Sequence, residues 1–373
     1  MNKNFIYNKI ENMTCLVELH LHLDGALSVD NCKKIAKMQN IDVPDDDVIL
    51  KKTNVDADCR NLNDFLTKFE FPVSLLQTAV GIKNAVKNLG DELRNQGIIY
   101  AEIRFAPQLL TRNGMTQEQV LKSAIEGIEA TKLCCNLICC CMRGNDNYDK
   151  NIETIMVASK YLGKGVVGVD LAGAEGLYPT KEFEDIFKYA KELNIPFTIH
   201  AGEADGSNSV KTAINFGAQR IGHGVRSSED AQLVEEIARK KIVLEICPTS
   251  NICTSIYEKI EDIPIKEFID KGVIITVNTD DPAVCNTTLK KELKKLASSF
   301  DLTYNDIVKL QINAINASFA SKEVKSKIGD IIRKELVGNG DGSKFPFSKK
   351  WEIGTVPISR KMKEEKSWSG QVL

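Results

Sequence analysis

Short apolar runs, several rich in β-branched residues, alternate along the chain with longer stretches that carry charge at helical spacing. This is the pattern of parallel strands joined by crossover helices. Eight such runs stand out: "CLVELHLHL" near 15–23, "IIYAEIRF" from 98, "LICCCM" from 137, "VVGVDLA" from 166, "PFTIHA" from 196, "QRIGHG" from 219, "KIVLEIC" from 241 and "VIITVNT" from 273. Eight is the number that closes a barrel, so the chain is read as an α/β protein with a TIM-type (β/α)8 barrel. Between the runs, "TQEQVLKSAIEGIEATK" and "SSEDAQLVEEIARKK" read as outer helices, the second opening with Ser and acidic residues in its first turn.

The first connection, Gly25 to Gly97, is far longer than one crossover helix needs and is expected to hold extra helices over the barrel mouth. Within it "LNDFLTKF" places Leu62, Phe65, Leu66 and Phe69 on one helical face, which reads either as a core stripe or as a lid. Further helical stretches follow Pro282. The division expected is an N-terminal extension over 1–13, the barrel domain over 14–335 and a Gly- and Lys-rich tail over 336–373 that is weakly ordered.

Composition narrows the partners. With 49 Lys plus Arg against 51 Asp plus Glu in 373 residues, no strong field favours nucleic acid or an anionic membrane. No stretch approaches the roughly 20 apolar residues that span a bilayer. The opening "MNKNFIYNKIENM" lacks the features of a secretory signal, so a cytoplasmic location is expected. Of eleven cysteines, five crowd into "LCCNLICCCM", and no paired C-x-x-C spacing marks a zinc ribbon. Free thiols packed as small hydrophobes fit a reducing compartment.

The chain has four histidines, and all stand in or at the end of the strand runs. His20 and His22 share one face of the first, because successive strand residues point to opposite sides. An H-x-H alone is weak. His200 in "FTIHAGE", His223 in "RIGHG" and Asp280–Asp281 in "VNTDDP" fall where a (β/α) barrel builds its active site. Three imidazoles and a carboxylate, His20, His22, His200 and Asp280, make a set suited to zinc with a position left for water, whose pKa zinc lowers to about 7. No lysine stands in the fourth run to bridge a second ion, so one metal is expected.

In order, "HLHLDGAL", "YAEIRFAP", "DLAGAE", "HAGE", "RIGHG", "CPTSN" and "NTDDP" resemble the adenosine deaminase family of the metal-dependent amidohydrolases, from about residue 14 to 320. The resemblance implies a barrel, one zinc ion and hydrolytic loss of the purine 6-amino group as ammonia. It also implies that His20, His22, His200 and Asp280 bind the metal and that Asp280 holds the attacking water as well. Glu203 would protonate the ring nitrogen beside the attacked carbon, and His223 would orient the nucleophile and stabilise developing charge. Asp281 would hydrogen-bond the imidazole-ring nitrogen of the purine, and the Gly173 N–H another ring nitrogen. His22 would lie against substrate too.

Asp24 carries the substrate expectation. The H-x-H-L-D-G pattern resembles adenosine deaminases, where Asp would bind the ribose 5′-hydroxyl; adenine deaminases usually carry Glu there. Adenosine and 2′-deoxyadenosine are the expected substrates, with water the co-substrate; adenine or a modified adenosine such as aminofutalosine is the alternative, and an inactive purine-binding protein a further one. Leu62, Phe65 and Leu66 match the family's apolar gate, with ordinary packing as the competing reading. Glu102 and Arg104 are expected to form a buried ion pair beneath the site, and Asp170 and Glu175 to support the end of the fourth strand. The absence of H-x-E and P-C-x-x-C motifs argues against the His/Cys/Cys base deaminases.

Overall fold

A computed structural model describes residues 3–56 and 59–338. Its strands, in chain order, are β1 Leu16–His22, β2 Ile98–Phe105, β3 Cys134–Met142, β4 Val166–Ala172, β5 Thr198–Ala201, β6 Arg220–His223, β7 Val243–Ile246 and β8 Ile274–Val277. All paired neighbours are parallel, in the orders β1-β2-β3-β4 and β5-β6-β7-β8. Bridges join the two sets at both seams, Val169 to Phe197 on one side and Leu21 to Asp280 on the other. At the second seam the Asp280 N–H donates to the His20 carbonyl and the His22 N–H to the Asp280 carbonyl, each at 2.8 Å. The result is the (β/α)8 barrel expected from the eight runs.

Both faces of these strands are covered, which is why they read as apolar runs rather than alternating ones. Every residue of β4 to β7 is buried. The outer helices start on local signals. Helix Gln117–Ala130 opens with a capping box between Thr116 and Gln119 and buries Val120, Leu121 and Ala124. The helix expected to open at Ser227 begins instead at Ala231, because the Asp230 carboxylate accepts from the N–H groups of Gln232 and Leu233; residues 225–229 form a 3-10 turn.

The long first connection contains the helices Val29–Met38, Asp46–Thr53, Leu62–Leu66, Glu70–Leu75 and Ala79–Asn95 among the described residues. Helix Lys3–Glu11 buries Ile6 and Ile10 and packs against helix Leu289–Ser299. Helix Tyr304–Ala317 lies against β8 and β1, and its Gln311 accepts from the Val17 N–H at 2.8 Å. Helix Lys322–Gly338 runs past the boundary set at 335; the tail from 339 lies outside the described residues. Among the described residues no helix is long and apolar enough to cross a membrane. No disulfide joins the cysteines among the described residues; in the β3 run four are buried and Cys134 is exposed.

Candidate active site

The cluster sits at the C-terminal end of the barrel strands. β1 delivers His20 and His22, β5 His200, β6 His223, and the turn after β8 delivers Asp280 and Asp281. His223 and Asp280 hold positive φ angles of 59° and 60°, conformations that cost a non-glycine residue free energy and that cluster at functional sites. Here the strand ladder fixes them. The Asp280 main chain is locked to β1 on both sides, as the seam bonds show.

The distances within the cluster suit a metal. His20 Nε2 lies 3.0 Å from His200 Nε2 and 3.1 Å from Asp280 Oδ1; His22 Nε2 lies 3.1 Å from His200 Nε2 and 3.3 Å from Asp280 Oδ1. Four donors at the corners of a tetrahedron with zinc bond lengths stand about 3.3 Å apart, so these four side chains fit one ion. The same donors without a cation would crowd lone pairs together. A second, overlapping group, His20, His223, Cys247 and Asp280, also brings its ligand atoms within 4.8 Å of one another.

Beneath the donors runs a chain of buried charge. Glu245 accepts from His20 Nδ1 at 2.7 Å and from Arg104 Nη2 at 2.8 Å, and its other oxygen faces Arg220 Nε at 2.5 Å. Asp170 lies 2.9 Å from His200 Nδ1 and accepts from Arg104 Nη1 at 2.8 Å. Carboxylates at both Nδ1 atoms hold the protons there and leave the Nε2 lone pairs facing the ligand cluster. Burial pushes His200 down to about 3, so the ring is neutral and ready to ligate. Arg104 and Arg220, against Glu102, Asp170 and Glu245, leave the chain one carboxylate in excess, which favours a cation above it.

This corrects two expectations. Glu102 and Arg104 share a face of β2 but do not pair with each other: Glu102 bonds Arg220 at 2.6 Å, while Arg104 spans Asp170 and Glu245. Glu175 does not brace β4; its carboxylate accepts from the N–H groups of Gly202, Glu203, Ala204 and Asp205 and from Ser209, and so shapes the turn that carries Glu203. Glu245 and Arg220 were not singled out from sequence. Their signal was a charge inside a strand otherwise buried on both faces.

Over the cluster, Glu203 Oε2 and Asp280 Oδ2 lie 3.6 and 3.7 Å from His223 Nε2. Burial, then the neighbouring charges of Asp280 and Glu175, push the Glu203 carboxyl well up. Asn251, from "CPTSN", donates to His223 Nδ1 at 3.1 Å, which places the neutral ring's proton on Nε2. Asp281 is buried, its acid raised by burial and by Asp280, and its Oδ1 has no protein partner. It packs on Gly25, where a Cβ would come within 1.7 Å of that oxygen. Asp24 is half-buried beside it in sequence, and Gly173 holds a φ of 106° at the end of β4, which an L side chain rarely adopts.

Leu62, Phe65 and Leu66 come together in one apolar cluster. Leu62 and Phe65 are buried against Val284 and Cys285 of the loop after Asp281, with Leu66, Phe69 and Ala204 packed alongside. The Val55 N–H donates to the Val284 carbonyl at 3.1 Å, and the Ala283 N–H to the Gly25 carbonyl at 3.0 Å, which ties the first connection, the β1 loop and the β8 loop together.

Comparison with known proteins agrees with this geometry. The adenosine deaminase family model matches residues 15–335. An adenosine deaminase of Haemophilus ducreyi is 42% identical over 323 residues, 84% of this chain and 94% of that protein. One of Clostridium botulinum is 39% identical over 330 residues, 86% of this chain and 98% of that protein. Among solved structures, an adenine deaminase from Arthrobacter aurescens superposes with a TM-score of 0.78 at 25% identity, covering 87% of this chain and 99% of its own. The histidine pair of β1, the ordered motifs and the match across nearly the whole barrel converge on one assignment: the chain belongs to the adenosine deaminase family.

Proposed function

We propose that this protein is a zinc-dependent hydrolase that converts adenosine and 2′-deoxyadenosine to inosine and 2′-deoxyinosine with release of ammonia, in purine salvage. The observation that carries the reading is the convergence of four ligand atoms at 3.0–3.3 Å directly beside a raised carboxylic acid and a third-party imidazole. His20, His22, His200 and Asp280 would hold the metal, one per chain, which when bound would lower the pKa of a water molecule and supply a nucleophile near neutral pH.

The side chains do the remaining work. Glu203, kept protonated by burial, donates to the purine ring nitrogen beside C6 and makes that carbon electrophilic. Asp280, whose Oδ1 faces the other ligand atoms and whose Oδ2 faces His223 Nε2, takes the proton of the attacking water through Oδ2. His223 presents its Nε2 proton to the oxygen where negative charge develops. Asp281, protonated by burial and like charge, donates to the imidazole-ring nitrogen of the purine. The Gly173 N–H faces the pyrimidine ring, His22 lies against the substrate as well as the metal, and Asp24 accepts from the ribose 5′-hydroxyl. Leu62, Phe65 and Leu66 exclude bulk water, which strengthens the polar contacts below.

The likeness to an adenine deaminase keeps bare adenine as the second reading; Asp24, in place of the longer Glu, favours the nucleoside. A cytoplasmic setting suits cysteines that form no disulfide among the described residues. The deciding experiment is ammonia release by the metal-loaded protein from adenosine, 2′-deoxyadenosine, adenine and aminofutalosine in parallel. Release from the first two alone supports the proposal. Preference for another amine overturns the substrate, and no release from any overturns the catalytic reading.

A further inference from the structure

Two buried groups of opposite charge, Arg143 just after β3 and Glu175 just after β4, grip the two ends of one short segment, residues 200–205. Arg143 Nη2 donates to the His200 carbonyl at 2.6 Å. The Glu175 carboxylate accepts from the N–H groups of Gly202, Glu203, Ala204 and Asp205 at 2.7–3.0 Å. His200 is a proposed metal ligand and Glu203 the proposed proton donor, so the grip spans both.

The two charges also hold each other, through two buried hydroxyls. Arg143 Nη2 donates to Thr180 Oγ1 at 3.0 Å, Thr180 Oγ1 lies 2.6 Å from Ser209 Oγ, and Ser209 Oγ donates to Glu175 Oε1 at 2.5 Å. Each hydroxyl has one proton. Ser209 uses its own on Glu175, so Thr180 supplies the proton between them, and every bond in the chain runs from the cation toward the anion. Bonds aligned in this way polarise one another, and those at the two ends are charge-assisted. Arg143 is fixed further by Nη1, which donates to the Tyr178 carbonyl at 2.7 Å, and by the Phe183 ring, whose centre lies 5.7 Å from the guanidinium carbon. The gripped turn has little room: Gly202 holds a φ of 69°, and a Cβ there would collide with Val210 of helix Ser207–Phe216, which also carries Ser209.

We propose that Arg143, Thr180, Ser209 and Glu175 act as one clasp that sets the spacing between His200 and Glu203, which makes Arg143 and Thr180 positioning residues for proton donation to the purine. The acid must reach a ring nitrogen while the nucleophile stands at the neighbouring carbon, and a misplacement of about 1 Å costs on the order of 10²-fold in rate. The clasp acts on the backbone of the segment and on none of the side chains proposed to contact purine, so breaking it acts on turnover rather than on binding. Its catalytic meaning rests on the deaminase reading; its hold on the turn does not.

The test compares full-length, metal-loaded wild type with Thr180→Val, which deletes one hydroxyl and keeps both charges; Ser209→Ala stands in should the valine fold poorly. kcat for adenosine should fall about 10²-fold with KM within about threefold of wild type, and elemental analysis should still find one metal per chain. Hydrogen exchange should accelerate in the peptide holding residues 200–205 and stay unchanged in β2. Thr180→Ser, which keeps the hydroxyl, should recover most of the loss. Arg143→Lys, which keeps the charge and loses the fork, should repeat the valine pattern. Adding Ser209→Ala to Thr180→Val should cost little more, because both cut one chain. Losses that add, a kcat within about threefold of wild type, lost metal, or slow turnover without faster exchange over 200–205 would each overturn the clasp. Wild type that releases no ammonia fails the deaminase reading and the positioning role with it, while the exchange rates still decide whether the clasp holds the turn.

Discussion

His20 Nδ1 lies 2.7 Å from Glu245 Oε2, and both side chains are fully buried. Because the same oxygen accepts from Arg104, the carboxylate cannot turn away, and the imidazole is held in the tautomer that aims Nε2 at the ligand cluster. Glu245→Gln should therefore weaken metal binding by about 10- to 100-fold, read by competition with a chromogenic chelator. Unchanged affinity with a lower melting temperature would confine Glu245 to the charge chain beneath.

Glu203 lies 3.6 Å from His223 Nε2 and forms no ion pair with the four proposed ligands among the described residues. Glu203→Gln should retain one metal per chain by elemental analysis while kcat falls about 10²- to 10⁴-fold. Turnover near the wild-type level would refute the proton-donor role.

Asp24 is expected to act on the sugar alone. A lost hydrogen bond to a charged acceptor corresponds to about 10- to 100-fold in binding. Asp24→Ala should raise KM for adenosine by that factor and leave any weak turnover of adenine unaltered. Equal losses on base and nucleoside would remove Asp24 from ribose recognition.

Acid should act through His200 when the metal is removed. An unfolded chain protonates this ring below 6.5, whereas the folded one, with the ring pushed down to about 3 by burial, does not. Stability is thus lost as pH falls through that window, by up to about 1.4 kcal/mol per pH unit. Buried Glu18, pushed up to about 8, opposes the trend by losing stability as pH rises. The clean readout is the urea-unfolding difference between wild type and His200→Asn from pH 7 down to 4.5. Wild type should lose ground to the variant, and parallel curves would place the titration elsewhere.

Much of this site was legible because its residues sit in strands whose neighbours are apolar. His20 and His22 in "VELHLHL" and His200 in "FTIHAGE" break hydrophobic runs at positions that a barrel points inward. What sequence did not disclose was partnership across the barrel. Glu102 and Arg104 are two apart on one strand, so pairing them was the local solution; the closed barrel offers each a nearer opposite charge from β4, β6 or β7. Likewise Glu175 follows β4 but serves the β5 turn, since adjacent barrel loops lie side by side. Helix starts followed side-chain capping, which let Asp230 override the earlier Ser and Glu.

The seam between β1 and the segment after β8 also sets an order of events during synthesis. Two of the proposed ligand side chains leave the ribosome with the first strand, the third arrives with β5, and the fourth only with residue 280. Until then β1 has one unpaired edge, and the nascent chain carries imidazoles without the carboxylate that completes their set. Contacts between the first and last strands are the slowest to find because the intervening chain must already be compact. Metal capture by the full set thus belongs to the close of folding, and fragments ending before Asp280 should bind the ion weakly whatever structure they keep.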